Sequence, residues 1–149
     1  MTVVVGVDNS EASKAALRLA AQEARWRQAP LVAVSAYEPT LGAVGGYPQA
    51  AKQTEGEERA NAEAALRETV DDELGEQATQ TDLRVSAGLA GRVIIDAARQ
   101  THAQLVVIAA RSGMPTMPGT VSQYVLLKAR CPVTIVPGEG RDEKASDDS

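Results

Sequence analysis

The sequence predicts an α/β fold, in which helices pack on both faces of an open, parallel, five-stranded sheet. Short runs of Val, Ile and Leu recur along the chain, as is typical of strands that are buried on both faces. Ala-rich or highly charged segments with helical periodicity separate these runs. Because strands alternate with helices, the connections are expected to be right-handed crossovers, which leaves few topologies.

Five segments are predicted to be strands. Four are continuous apolar runs of about four to eight residues, which suits buried strands. The fifth is weaker and alternates Leu83 and Val85 with polar neighbours. In chain order the segments are Val3–Val7, Leu31–Ala36, Asp82–Ala87, Leu105–Ala109 and Val133–Val136.

Helical periodicity predicts four helices, over residues 11–27, 55–75, 91–101 and 120–129. Thr120 and Gln123 have the spacing of a capping box at the start of the last helix, and Asp8 and Glu11 have it at the start of the first. The apolar face of the last helix is expected to contain Val121, Tyr124, Val125 and Leu127.

Composition argues against several classes of function. The net charge is −5 and aromatic residues make up 3% of the chain, so a basic footprint for nucleic acid and a stacking platform for bases are both missing. No apolar stretch approaches the roughly 18 residues that a membrane span needs. A single cysteine, Cys131, allows no internal disulfide and fits a reducing compartment. We therefore expect a cytoplasmic protein with no nucleic acid or membrane partner.

The length of 149 residues predicts one domain, which we assign to residues 1–137. Residues 138–149 are polar and rich in acids, and we expect a disordered tail there. The Gly- and Pro-rich segment over residues 39–51 is predicted to be a mobile surface loop.

Polar residues and glycines follow the predicted strands, at the edge where open parallel sheets bind ligands. Gly119 and Thr120 open the last helix, whose free amides and positive dipole end favour anions. Arg111, just after a buried strand, offers a planar charge for a phosphate. A purely structural interpretation, in which Thr120 and Gln123 cap the helix and Arg111 is solvated, also fits these residues.

The single histidine and the single cysteine do not indicate catalysis. His102 is expected on the surface, at the end of the sheet opposite the ligand crevice. Cys131 is expected to be a packed thiol at the entrance of a strand. One His and one Cys do not make a structural zinc site, so we predict no metal site.

Several segments resemble the universal stress protein family. They are Val3–Ser10 before an Ala-rich helix, Leu105–Gly113, Gly119–Gln123 and Cys131–Pro137, and the resemblance spans about residues 2–137. It implies the strand order 3-2-1-4-5 and a ligand crevice between the first and fourth strands. It also implies homodimers that pair through the last strand, here Val133, Thr134, Ile135 and Val136.

The resemblance further implies a set of nucleotide-binding residues, since many members bind ATP or AMP. By match, Asp8 faces adenine or ribose, with Gly6 and Ala36 near the base. The phosphates would be held by Gly119, Thr120, Val121 and Ser122. Ala109, Arg111 and Ser112 complete the candidate site.

The sequence departs from the ATP-binding pattern of that family, Gly-two-Gly-nine-Gly-Ser/Thr. Ala109 and Ser112 replace the first two glycines, and the connection from Ser112 to Gly119 is three residues shorter than in ATP binders. It contains Pro115 and Pro118, which have no N–H to donate. Losing two hydrogen bonds to a charged group costs about 3–6 kcal/mol, or about two to four decades of affinity. ATP binding is therefore predicted to be weakened or absent.

These observations lead to one interpretation and two alternatives. The first is a non-catalytic stress-response dimer that requires no cofactor and has ATP or AMP as its candidate ligand. One alternative is a genuine ATP, AMP or cyclic-nucleotide binder that uses an altered phosphate loop. The other is a slow nucleotide hydrolase, with Asp8 or Arg111 near the phosphates.

Overall fold

A computed structural model describes residues 1–38, 43–44, 47–48, 55–110 and 120–138, with the backbone alone at residues 43–44, 47–48 and 120. The strands are β1 (Thr2–Gly6), β2 (Leu31–Tyr37), β3 (Ala43–Val44), β4 (Tyr47–Pro48), β5 (Thr81–Ala87), β6 (Ala103–Ala109) and β7 (Val133–Val136). The helices are α1 (Glu11–Arg27), α2 (Glu55–Leu74), α3 (Ala90–Gln100) and α4 (Thr120–Lys128), and a 3₁₀ helix (Gly75–Gln80) follows α2.

Five strands form one parallel sheet in the order β5-β2-β1-β6-β7. Counted along the chain, these strands stand in the order 3-2-1-4-5, which confirms the predicted α/β class and topology. β1 lies at the centre, between β2 and β6. Successive strands are added on one side of β1 as far as β5 and then on its other side, so the strand order reverses at β1. Open parallel sheets bind their ligands at such a point.

The core has two layers, one on each face of the sheet. Val3 and Val5 pack in the cluster that contains Leu17 of α1 and Leu66 of α2. Val4 points the other way and packs in the cluster that contains Ile94 of α3. Side chains alternate between the faces because the repeat of a strand is two residues. The face that carries α1 and α2 is called the α1 face below, and the other is called the α3 face.

α2 carries an apolar stripe, although the helix is strongly charged. Leu66 and Val70 are fully buried, and Leu74, one turn further on, is partly buried against the same cluster. The charged residues between them lie mostly on the exposed side of the helix. This amphipathic pattern joins α2 to β2 and β5.

One prediction about α4 is wrong. Leu127 was expected in the apolar face of α4 but is 81% exposed, whereas Val125 is fully buried. α4 is a nine-residue helix over the β7 edge of the sheet and contacts α3 and β7, so neighbours cover one side of it. The predicted loop over residues 39–51 contains the antiparallel ribbon β3–β4. A Gly-Gly pair separates these two strands in the sequence, and such a pair favours a two-residue hairpin connection.

The rest of the 39–51 segment, like residues 139–149 of the predicted tail, lies outside the described residues. Within the described ranges, no helix is long and apolar enough to cross a membrane.

Replacing Gly91 tests the close contact between α3 and α4. A Cβ at Gly91 would lie 2.9 Å from Cδ1 and 3.1 Å from Cβ of Tyr124. We expect Gly91→Ala to lower the free energy of unfolding by about 1–3 kcal/mol through overpacking. The change is measured by urea denaturation.

The matched control is Gly56→Ala on the exposed side of α2. Alanine favours helix over glycine by up to about 1 kcal/mol, so this control should be neutral or stabilising. An equal rise in the free energy of unfolding for Gly91→Ala would contradict the overpacking, because it would show that α4 moves away from α3 without loss of stability.

Candidate functional site

The carboxyl ends of β2, β1 and β6 adjoin at one edge of the sheet. Gly6 and Asp8 lie at the end of β1, Ala36 near the end of β2, and Ala109 at the end of β6. The hydrogen bonds between the segments of β1 and β2 continue one residue past the end of β1, since the amide of Val7 donates to the carbonyl of Val34 at 2.8 Å. The fold therefore brings these four predicted residues to the same edge.

Asp8 is held in a compact turn that leads into α1. Its carboxylate accepts a hydrogen bond from the amide of Ser10 at 2.7 Å. The hydroxyl of Ser10 in turn accepts from the amide of Ser13 at 3.1 Å, and Ser10 is the N-cap of α1. The predicted capping box between Asp8 and Glu11 is therefore wrong. Asp8 bonds the amide two residues ahead, as Asp does in turns, and this leaves the capping role to Ser10.

Ser13 is a structural part of this turn that the sequence analysis missed. It is 2% exposed. Its hydroxyl donates to the carbonyl of Asp8 at 2.8 Å and lies 3.1 Å from the amide of Asp8, from which it accepts. The backbone of Asp8 is thereby fixed from two sides, while its side chain is exposed. Ser10 and Ser13, three residues apart before an Ala-rich segment, were the available sequence signal.

The contacts of Gly6 are with the core of the protein. A Cβ at this position would lie 2.7 Å from Cδ1 of Ile94 and 3.7 Å from Cγ2 of Ile108. The side chain of Ile94 occupies the space that a larger residue would need. Close packing of α3 on β1 therefore accounts for a glycine at this position.

α4 begins at the same edge, because it connects the carboxyl end of β6 to the amino end of the parallel strand β7. Val121 and Ser122 in its first turn are half-buried. Val121 and Tyr124 pack on the α3 face. The first amides of any helix lack partners within the helix and carry its positive dipole end. Of the predicted phosphate-binding residues, Arg111, Ser112 and Gly119 lie outside the described residues, as does the side chain of Thr120.

A cavity of about 220 Å³ opens beside the carboxyl ends of β1 and β2. Six residues that line it come from the strand ends: Val7, Asp8, Asn9, Ser35, Ala36 and Tyr37. α2 closes the other side with Ala62, Ala65, Leu66 and Thr69. The cavity therefore includes two of the predicted site residues, Asp8 and Ala36, and adds a wall from α2 that the sequence did not indicate.

Tyr37 ends β2 at this edge, and the sequence suggested no specific role for it. Its hydroxyl oxygen is buried and has no hydrogen-bond partner among the described residues. The guanidinium of Arg59 lies over its ring, with Cζ 5.7 Å from the ring centroid. Arg59 also donates to the carbonyl of Val85 at 3.1 Å, so α2 holds the ring against the sheet.

His102 and Cys131 lie away from this edge. His102 is exposed and has a φ of 54° just before β6, at the amino edge of the sheet as predicted. Cys131 is half-buried against the core on the α3 face, and burial raises the pKa of its thiol. Its thiol is therefore protonated at neutral pH and poorly nucleophilic. Among the described residues, no group of three or more His, Cys, Asp or Glu side chains is placed to hold a metal ion.

Comparison with known proteins gives consistent matches. The model of the universal stress protein family matches residues 1–137. A universal stress protein of Mycolicibacterium smegmatis is 33% identical over 156 aligned residues, which cover 99% of this chain and 50% of that protein. The chain thus spans about half the length of this curated relative.

Two solved structures that resemble this chain contain adenine nucleotides. A universal stress protein in complex with cAMP is 26% identical, with a TM-score of 0.69 over 93% of this chain and 98% of that one. The universal stress protein of Archaeoglobus fulgidus in complex with dAMP is 25% identical, with a TM-score of 0.63 over 91% of this chain and 97% of that one.

Replacing Ser13 tests how the turn at Asp8 is held. Ser13→Ala leaves the amide and carbonyl of Asp8 without their partner, and we expect a loss of about 1–3 kcal/mol in the free energy of unfolding. Hydrogen exchange at the Asp8 amide should also become faster. Both are measured on the purified chain, the second by NMR.

The matched control is Ser13→Thr, which keeps the hydroxyl. It should retain slow exchange at Asp8 even if the added methyl group lowers stability. Equal exchange rates in Ser13→Ala and the natural protein would contradict the assigned role of Ser13.

Proposed function

This chain belongs to the universal stress protein family, and we propose that it is a non-catalytic, dimeric stress-response protein that binds an adenosine monophosphate in preference to ATP. The observation that carries this proposal is the short connection between β6 and α4, in which Ala109 and Ser112 replace the first two glycines of the ATP-binding pattern and Pro115 and Pro118 are present. We assign the role to residues 1–137, with residues 138–149 as an acidic tail, and place the protein in the cytoplasm.

The start of α4 suits a single phosphate. Its first turn offers the amides of Thr120, Val121 and Ser122, and one helix start is enough to hold one phosphate group. The similar structures with cAMP and dAMP also carry one phosphate each. In the proposed arrangement, Asp8 and Ala36 face the nucleoside, while Arg111, Ser112 and Gly119 contribute near the phosphate.

Binding a triphosphate requires more hydrogen-bond donors than binding a single phosphate. The two further phosphates carry most of the charge of ATP, and the connection between β6 and α4 would have to surround them with amides. Two of its residues are prolines without an N–H, and three residues of the ATP-binding pattern are missing. Fewer charge-assisted hydrogen bonds, each of about 1.5–3 kcal/mol, explain the preference.

The absence of catalysis is also part of the proposal. The single histidine lies at the opposite edge of the sheet, and the carboxylate of Asp8 already accepts from the amide of Ser10. His102 is therefore too far from α4 to act as a general base there, and we assign Asp8 to the nucleoside and not to the phosphate. The role that remains for bound nucleotide is to favour one conformation or one partner.

Dimerisation is proposed through β7. This strand pairs with β6 along one side and with no other described strand along its outer side. Its sequence is Val133, Thr134, Ile135 and Val136, and Ile135 is 37% exposed. An unprotected apolar edge readily pairs with another strand, and the last strand of a second copy supplies one.

Lengthening the connection tests the nucleotide preference. Pro115→Gly and Pro118→Gly, combined with three added glycines, should tighten ATP binding by about two decades or more, since two or more hydrogen bonds become available. AMP binding should change little. Titration calorimetry with AMP, cAMP and ATP measures each affinity.

The same titrations on the natural protein test whether it binds AMP more tightly than ATP. ATP binding as tight as AMP binding would refute the preference for one phosphate. Phosphate release from ATP that disappears in Asp8→Ala would show that the protein is an enzyme.

A charge at the free edge tests the dimer. Ile135→Lys should give monomers in sedimentation velocity, because burying an unpaired ammonium group in an apolar interface is costly. Trp26→Lys is the control, since Trp26 is 69% exposed near the end of α1 and should leave the dimer intact. A natural protein that sediments as a monomer would exclude this mode of association.

A further inference from the structure

β5 forms one outer edge of the sheet, with β2 on its inner side and no described strand on its other side. The amide of Gly88, just past the end of β5, donates inward to β2, whereas the amide of Thr81 bonds away from the sheet to the carbonyl of Ala78. Because backbone groups alternate in direction along a strand, Leu83 and Val85 direct their N–H and C=O groups outward. An edge of this kind can pair with a strand of another chain.

One outward group of β5 already has a partner. The guanidinium of Arg59 in α2 donates to the carbonyl of Val85 at 3.1 Å, which agrees with the outward direction of that carbonyl. Within the described part of the chain, the outward N–H of Val85 and both outward groups of Leu83 have no partner. These groups are available to a peptide that lies alongside β5.

The two faces of β5 differ in polarity. Leu83 and Val85 are partly buried against the core on the α1 face. Arg84 and Ser86 alternate with them and therefore stand on the α3 face. There they line a cleft of about 120 Å³ between β5 and α3, which also includes the buried side chain of Val34 from β2. An added strand would thus meet apolar side chains on one face and a polar cleft on the other.

Two arginines line the cleft and retain N–H groups for a ligand. Nε of Arg84 donates to the carboxylate of Asp82 at 3.1 Å, and its Nη1 donates to the side chain of Gln100 at 3.2 Å. These bonds hold the half-buried guanidinium in place and use only part of its five N–H groups. Arg92 and Asp96 are exposed in the cleft, and neither bonds to any residue that the structure describes. Guanidinium groups suit carboxylates, which they bind with two parallel hydrogen bonds.

The other side of the β5 edge is acidic. α2 packs on β5 from the α1 face and carries eight acids against two arginines. Carboxylates on that side of an added strand would be repelled, whereas on the α3 side they would meet Arg84 and Arg92. Side chains of neighbouring strands interact when they share a face. The charges therefore favour a strand with acids on the α3 face and apolar residues on the α1 face, beside Leu83 and Val85.

We propose that the outer edge of β5 and the adjoining cleft bind an extended segment of a partner protein in which acidic and apolar residues alternate. The segment pairs with the outward groups of Leu83 and Val85 and places carboxylates on Arg84 and Arg92. β5 and β7 are at opposite edges of the sheet, so this surface stays accessible when β7 pairs with a second copy. The role is separate from nucleotide binding.

A fluorescent six-residue peptide that alternates Glu and Val, with both ends blocked, is the probe. We expect fluorescence anisotropy to show that the natural protein binds it with a dissociation constant below about 1 mM. Arg84→Gln and Arg92→Gln should each weaken binding by about 2- to 5-fold, the effect of one exposed ion pair. Asp96→Asn should tighten binding, because it removes a carboxylate that repels the peptide.

Matched controls separate the cleft from the charge of the whole protein and strand pairing from charge alone. Arg27→Gln makes the same change of charge on α1, where Arg27 bonds to Gln104 of β6, and should leave peptide affinity unchanged. A Glu-Val peptide with N-methyl groups on alternate amides keeps its charges but cannot pair with the strand, so it should not bind in either register of methylation. A peptide that alternates Lys and Val should not bind either.

Three results would overturn this inference. If the Glu-Val peptide does not bind the natural protein, the charge of Arg84 serves to protect the edge from self-association. Equal weakening by Arg27→Gln and Arg92→Gln would show that the attraction is not specific to the cleft. Equal binding of the N-methylated peptides would refute strand pairing. None of these results changes the nucleotide titrations, so the proposed function is tested separately.

Discussion

The burial of β1 on both faces is the constraint on which the rest of the structure depends. Val3, Val4 and Val5 are completely inaccessible to solvent, and each contributes roughly 1.5–3 kcal/mol relative to exposure. α1 must cover one face of this strand and α3 the other, while β2 and β6 pair with its two edges. With β1 central and every neighbour parallel, the polar groups that follow the strands collect at one edge of the sheet.

That edge is built from two different kinds of contact. On the α1 face, backbone and side-chain hydrogen bonds hold the turn at Asp8 through Ser13, and α2 closes a small, largely uncharged cavity. On the α3 face, close packing of Gly6 against Ile94 and of Gly91 against Tyr124 sets where α3 and α4 lie. A ligand at this edge would meet the cavity walled by α2, with Asp8 at its rim, on one side and the positive start of α4 on the other.

The local sequence pattern predicted the helices and strands well, because strands that are buried on both faces are continuous runs of apolar residues. It failed where a neighbour decides the outcome. Leu127 fits the helical repeat of α4, but within the described ranges no other element covers its side chain, and it remains exposed. Asp8 has the spacing of a cap, yet Ser10 caps α1 because the Asp8 carboxylate bonds the Ser10 amide. Of the candidate site, the sequence indicated the residues that follow the strands, since parallel strands bring their carboxyl ends together.

By itself, the sequence determined the α/β class and the edge of the sheet at which ligands are expected, and its resemblance to one family supplied the strand order. These follow from apolar runs and from the order of elements, which are properties of short segments. Only the tertiary structure decided that Ser13 fixes Asp8, and that Arg59 of α2 lies over the ring of Tyr37. A hydrogen bond or a cavity depends on atoms brought together from distant segments, and no local pattern in the chain records that they meet.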